Sequence, residues 1–246
     1  MLKELAKSVA RLPLFVGLQQ YMAGRVERRF ATMRPAEVFG EIYRRKMWGS
    51  TPQSDFCSGQ GSHYQSIVDP YLVSVRRFLS DFAHAPNAVD LGCGDFRVGS
   101  HLRSCCNDFI ATDVVAALIE RNRRLYEQLD VSFRCVDIVS DDLPAGDVAF
   151  LRQVAQHLSN AQIAKIIPKL YKYRWVIVSE HLPIGADFVA NVDKPTGSGV
   201  RVPSGSGVVL TAPPFNLKAL ESRVLCSVTL SEMSGVVQSI AYRLIP

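Results

Sequence analysis

The sequence predicts an α/β protein: an open, largely parallel sheet with helices on both faces, preceded by an N-terminal helical cap. Three observations predict it. Apolar β-like runs alternate with amphipathic helical stretches from about residue 88 onward. The first run breaks at a glycine pair, in AVDLGCGDFRVG (88–99). Successive runs also finish at or beside a carboxylate: Asp90, then Asp113, then Asp137. A chain of 246 residues suits one such domain with an elaboration, and can bury a full core.

Taken in order, residues 1–65 read as a cap followed by a flap. Two or three helices end at KMWGS (46–50), and TPQSDFCSGQGSHYQS (51–66) is a Gly/Ser/Gln-rich loop. A loop of that length inside a compact chain is usually functional or disordered. The core domain spans 66–246. It opens with an amphipathic helix from Ser66 to Phe82, whose Ile67, Tyr71, Val75, Phe78 and Leu79 share one side. Pro70 fits its first turn or a kink. Strand one is followed by a helix-compatible run, FRVGSHLRSC. Strand two is FIATDV (109–114), and an amphipathic helix runs from Val114 to Leu129. Strand three is VSFRCVDI, reaching Asp137, and strand four is GDVAFLRQV (146–154). Ser159 or Asn160 caps a helix running to about Tyr173. Strand five is RWVIVSEHLP, ending in Glu180 and His181. Residues 183–213 are glycine-rich and aperiodic, and read as a substrate lid. PPFNLKALES opens a helix, and RVLCSVTLSEM with VVQSIAYRLI forms a terminal antiparallel hairpin joined at Ser234–Gly235.

The glycine turn carries the first chemistry. Gly92 and Gly94 allow backbone angles and a closeness of approach to ligand that a Cβ would forbid. The N–H groups beyond the turn favour anionic or strongly polar ligand atoms. A dinucleotide fingerprint, G-x-G-x-x-G, fails because Arg97 stands at its third position. The alternative is D-x-G-x-G, with Asp90, Gly92 and Gly94 under the charged amino-acid end of a ligand. Asp113 follows Gly94 by nineteen positions, close to the offset of about 20 at which an acid meets a nucleotide ribose. Asp137 suits an adenine amino group.

On VDLGCGD, ATDV, CVDI and GDVAFLRQVAQHLS the chain resembles the class I S-adenosylmethionine (SAM)-dependent methyltransferases, of a bacterial-looking, small-molecule type. The resemblance covers about residues 65–246. It implies a Rossmann-like seven-stranded mixed sheet of order 3-2-1-4-5-7-6, and SAM as cofactor with S-adenosylhomocysteine (SAH) as product. It implies that Asp90, Gly92 and Gly94 line the methionine side. Asp113 with Val114 would then hold the ribose, and Asp137 with Ile138 would frame the adenine. Phe96 replaces the family's usual third glycine, a departure at the methionine pocket. In such a family the segment before the first core helix closes over the cofactor, so Tyr43, Trp48, Gly59 and Gly61 are expected to approach it. Arg152, at the end of strand four, joins the expected cofactor set.

Methyl transfer is an in-line displacement, for which the protein mainly supplies alignment. A hydroxyl acceptor also gains from a general base, and histidine is the natural one near neutral pH. His157 and His181, each at a strand end, are the candidates, with Glu180 to orient His181 or bind the acceptor. His63 lies in the flap. Arg152 and Arg201 are candidates for an anionic substrate. No metal site is implied, since Asp141 and Asp142 read as an exposed turn. APPFN (212–216) resembles the (Asn/Asp)-Pro-Pro-aromatic motif of amino-methylating DNA enzymes, but Ala212 stands first and it follows strand five.

Charge and cysteines bound the partners. The net charge is +5, and residues 1–50 hold ten basic against four acidic side chains. A solvated helical cap accounts for this, while weak peripheral membrane contact is the functional alternative. Nucleic acid is disfavoured because aromatics do not interleave with the basic residues. There is no apolar run of about 18 residues and no signal-peptide pattern. Six cysteines without C-x-x-C spacing point to a reducing cytosol, with Cys93, Cys135 and Cys226 in or beside core strands. The reading is a cytoplasmic methyltransferase acting on a small molecule or glycan, more readily at oxygen than nitrogen. An RNA or protein methyltransferase using the basic cap, and a non-catalytic SAM-binding protein, are the alternatives.

Overall fold

The computed structural model describes residue 30 and residues 32–50, 56–185, 187–230 and 235–245. The helices expected in residues 1–29, and the first part of the flap (51–55), lie outside the described residues. Seven strands form one sheet of order β3-β2-β1-β4-β5-β7-β6. They are β1 (Ala88–Leu91), β2 (Phe109–Asp113), β3 (Ser132–Cys135), β4 (Val148–Arg152), β5 (Trp175–Leu182), β6 (Ala219–Leu230) and β7 (Gly235–Leu244). The first five are mutually parallel, and β7 runs antiparallel to both β5 and β6. The described helices are α1 (Pro35–Arg44), α2 (Gln60–His63), α3 (Gln65–Ser80), α4 (Ala116–Leu125) and α5 (Asn160–Leu170).

Strand side chains alternate between faces, and each face has its own core. Val89, Leu91, Ala149, Leu151, Val176 and Val178 pack beneath Ile163, Ile166, Ile167 and Leu170 of α5. Ala88, Val148, Phe150 and Ile177 pack on the other face against Tyr71, Leu72, Val75, Phe78 and Leu79 of α3. With both faces covered, β1 is buried at every position, the signature of a parallel strand. α5 starts from a capping box: Ser159 Oγ accepts from Gln162 N–H, and the Gln162 side chain accepts from Ser159 N–H.

The chain leaves β1 toward β2 and β3, then returns across to β4 and β5. That reversal opens a crevice beyond the carboxyl ends of β1 and β4, where open α/β sheets take ligands.

Several local expectations are corrected. The run after the glycine turn is two short 3₁₀ turns, Gly99–His101 and Arg103–Cys105, because aromatic packing of Phe96 sets the path there. The helix expected over 114–129 is α4, followed by a separate 3₁₀ turn at Glu127–Leu129. Strand three stops at Cys135, so Asp137 lies two residues beyond it, and Cys135 is exposed. PPFNLKALES is no helix. A cis bond joins Pro213 to Pro214, Asn216 adopts φ 49°, and β6 has begun by Ala219. Two prolines with a left-handed residue leave no run long enough to nucleate a helix.

Candidate functional site

Gly92 and Gly94 adopt φ of 81° and 56°, the left-handed region that favours glycine. The backbone N–H groups of Gly92 and Cys93 donate to the Thr112 carbonyl at 2.9 and 2.7 Å, pinning the turn to β2. Asp113, one residue on, accepts from Gly94 N–H at 3.1 Å and from Val115 N–H at 3.0 Å. Asn122 of α4, fully buried, donates to the Gly94 carbonyl at 2.7 Å. The turn is therefore held by three residues of β2 and α4. Phe96 sits at φ 59° with its ring fully buried, edge-on to Phe109, Tyr126 and Phe133. Its side chain points into the core, away from the ligand crevice, so the departure from a third glycine costs the crevice nothing. Gly99 also lines the crevice: a Cβ there would come 2.5 Å from Phe96 Cε2 and 2.8 Å from Asp90 Oδ2.

The crevice is a cavity of about 1070 Å³, counted to its open mouth. Asp90, Gly92 and Gly94 line it from β1 and the turn, and Asp113 with Val114 from the end of β2. Asp137 and Ile138 line it beyond β3, and Arg152 with His157 beyond β4. Tyr43 and Trp48, from and after α1, form the facing wall. Gly59 and Gly61 stand behind the wall rather than on it. A Cβ on Gly59 would touch Trp48, and one on Gly61 would fall 2.1 Å from Gln153 Oε1. The Gly61 carbonyl accepts from Arg152 Nη2, and Ser62 Oγ accepts from Nη1 at 3.2 Å.

Charge at this end is mixed. Burial pushes the Asp90 carboxyl up to about 7, against the pull of the Arg152 guanidinium. Burial likewise lifts Asp113 to about 6, although the N–H groups of Val115 and Gly94 draw it down. Arg152 lies over the Tyr71 ring at 4.9 Å, and its buried Nε has no partner among the described residues. A network that the sequence did not suggest ties the flap to the turn. His63 Nε2 meets Asp95 Oδ2 at 2.7 Å, Ser58 N–H donates to the same oxygen, and Asp95 N–H donates to Ser58 Oγ. Tyr43 OH joins Ser58 Oγ at 3.2 Å. Burial raises the Asp95 carboxyl, but the bonds from His63 and Ser58 outweigh it and hold it below the usual range. Asp95 directly follows the second turn glycine, which is the one sequence cue to it.

At the other end, His157 rides on a 3₁₀ turn (Ala155–His157) and stacks beside Trp48, ring centroids 4.8 Å apart. Its Nδ1–H donates to the Gly199 carbonyl, and its Nε2 accepts from the Gln156 amide, both at 3.3 Å. The neutral ring thus keeps its lone pair on Nε2. Burial, with Lys194 nearby, pushes its pKa down to about 4. The 183–213 segment reaches over this end: Trp48 Nε1–H donates to the Ser198 carbonyl at 3.0 Å, and Gly197 N–H to the His157 carbonyl.

Glu180 and His181 do not line the cavity. Glu180 lies beneath the His157 turn, where its Oε2 accepts from Gln156 N–H at 3.1 Å. Arg201 is also buried, and donates to the carbonyls of Leu158 and Val192. It therefore supports the 183–213 segment and does not line the cavity. The His181 ring packs on Gly235, where a Cβ would come 2.4 Å from Nε2. Alternation along β5 sends neighbouring side chains to opposite faces, so only one of the pair can approach the His157 turn.

Burial lifts the Glu180 carboxyl to about 8, against the pull of Arg201 and the Gln156 N–H. Its unfolded value is about 4.3, so folding takes up a proton between the two, and stability falls as pH rises toward 8. Glu180→Gln should flatten that slope. The variant should melt several degrees above the parent at pH 8.5, each kcal/mol being about 2–4 °C at this size, and close to it at pH 5. An equal difference at both pH values would remove Glu180 as the titrating group.

No protein-family model and no curated protein matches the sequence. Solved structures do match in shape. The N-methyltransferase NodS from Bradyrhizobium japonicum WM9, solved with SAH, superposes with a TM-score of 0.60 at 13% identity, covering 84% of this chain and 98% of that one. The DhpI–SAH complex gives 0.55 at 14% identity, over 86% and 98%. Human N-acetylserotonin methyltransferase with SAM gives 0.53 at 14%, over 86% and 60%. The [4+2]-cyclase SpnF also superposes, at 0.51 and 14% identity, so this shape hosts more than one chemistry. What the chain shares with these proteins is the fold, the seven-stranded sheet of the class I methyltransferases.

Proposed function

We propose that the protein is a cytoplasmic SAM-dependent methyltransferase acting on a small-molecule or glycan acceptor, at oxygen. The observation that carries this is one cavity at the sheet's switch point, lined by a glycine turn, by Asp90, Asp113 and Asp137, and by a neutral imidazole. The residues present fit the cofactor. Arg152 offers a buried, unpartnered Nε–H to a carboxylate beside Asp90, which suits an ammonium group. Asp113 lines the cavity and suits a pair of hydroxyls, and Ile138 with Val114 offers apolar contact to a flat base.

When bound, SAM supplies a methyl group on a positively charged sulfur; its transfer leaves SAH and releases the acceptor's proton. The chain's own residues do the rest. Tyr43, Trp48 and the flap cover the cavity and exclude water, while the turn of Gly92 and Gly94 lets the ligand close on the backbone. His157 carries its lone pair on Nε2, which a hydroxyl proton would take in place of the Gln156 amide, and Glu180 holds the turn that carries it. His181 acts only at a distance, through packing. Free thiols at all six cysteines accord with a reducing cytosol. At the end of α1, Arg44 and Arg45 pair with Glu41.

Labelled methyl transfer from SAM into a cell extract, with mass identification of the product, tests the proposal. A labelled small molecule or glycan is expected; SAM binding without any SAH formed would leave only a binding protein. In the same assay His157→Ala should lower turnover by roughly 10²–10⁴-fold while SAM affinity holds. Normal turnover in that variant would end the base assignment.

A further inference from the structure

Gln153 takes no part in that reading, and three observations single it out. It follows β4 immediately and adopts φ 54°, a left-handed conformation uncommon outside glycine, held by its N–H donating to the Ser179 carbonyl at 2.7 Å. Its amide is pressed against Gly61, a flap residue that has no side chain. Its Nε2 is buried and bonded to nothing among the described residues, although the side chain lines the cavity. Buried amide N–H groups are nearly always satisfied, and strain combined with an orphaned donor is characteristic of sites waiting for a ligand.

Its neighbours say which ligand atom. Arg152 on one side belongs to the donor's tail, and His157 on the other carries its lone pair on Nε2, where the Gln156 amide now donates. Gln153 lies between them in the chain and lines the same cavity. Trp48, Val154 and Leu158, which line the same cavity, carry no charge. A carboxamide both donates and accepts, and so matches a hydroxyl, which does the same. It offers a charged ammonium or carboxylate no counter-charge.

We propose that Gln153 receives the acceptor's reacting hydroxyl, and that the acceptor is uncharged at that group. The proposal rests on the methyltransferase reading and deepens it. Opening of the flap at Gly61 frees the amide, and the hydroxyl oxygen accepts from Nε2 in place of the missing partner.

The test uses the SAH-saturated protein with three matched probes: phenol, benzylamine and benzoate. The Gln153 side-chain amide resonances are assigned by their loss in Gln153→Gly. Phenol should shift them and the charged probes should not. Gln153→Gly relieves the left-handed strain, so its melting temperature should not fall. Its SAH affinity should stay within about twofold while phenol binding weakens about tenfold. Gln153→Asn, at home in that backbone region but shorter, should fall between. Resonances unmoved by phenol, or moved as much by a charged probe, would overturn the proposal. So would a loss of SAH affinity in Gln153→Gly of about tenfold or more, which would assign the residue to the donor. A parent protein that binds no SAH would instead overturn the methyltransferase reading, and this inference with it.

Discussion

Asp113→Ala should weaken SAM binding roughly a hundredfold or more, about 2.7 kcal/mol at the least. Two losses combine. The first is the acceptor that the donor's ribose hydroxyls would use. The second is local: the carboxylate accepts from both Gly94 and Val115 N–H groups inside the fold. Alanine leaves both donors unsatisfied, at about 1–3 kcal/mol for each buried group. The turn then loses one of its three ties. Asp113→Asn separates the effects, because its amide oxygen can still accept from one N–H. It should retain the melting temperature better than alanine while still losing affinity. Calorimetry with SAM reads the outcome directly, and an unchanged affinity in Asp113→Ala would remove the nucleoside assignment.

Gly94→Val should be the most damaging substitution in the cradle. At φ 56° a β-branched residue is strained, by about 1–3 kcal/mol for an outlier of this kind. A Cβ would also lie 2.3 Å from Ser58 Oγ and 3.0 Å from Ser58 Cβ. Ser58 cannot withdraw cheaply, since it bonds Asp95 at two points and Tyr43 at a third. The expected result is a melting temperature lower by several degrees, at about 2–4 °C per kcal/mol. SAH binding should be lost at temperatures where the variant is still folded. Gly94→Ala should do the same more mildly. Parental SAH affinity in the valine variant would show that the turn is not the cradle.

The fold was legible because its signals are local and repeated. β1, β2 and β4 are short and largely apolar, and the acids Asp90 and Asp113 stand where strands meet the crevice. α3 was readable from the spacing of Ile67, Tyr71, Val75, Phe78 and Leu79, all of them buried. What failed was where tertiary packing overrides local propensity. FRVGSHLRSC has helical composition, but Phe96 is committed to an aromatic cluster built from β2, β3 and the end of α4, and the backbone follows the ring. In the site, His157 and His181 looked equivalent as strand-end histidines. Only the pairing of β5 with β7 shows that His181 faces Gly235. The links of Ser58 and His63 to Asp95 join residues 37 and 32 positions apart, a separation over which no spacing rule operates. Gln153 was visible as a residue at the end of strand four, yet its left-handed backbone has no sequence signature.

The central claim is that the crevice beyond β1 and β4 holds the methyl donor. A crystal structure of the protein with SAH tests it most directly. The account requires the nucleoside hydroxyls at Asp113, the base beside Ile138, and the amino-acid tail over Gly92 and Gly94 within reach of Arg152. SAH bound elsewhere, or a crevice filled by a different ligand in preference to it, would contradict the account.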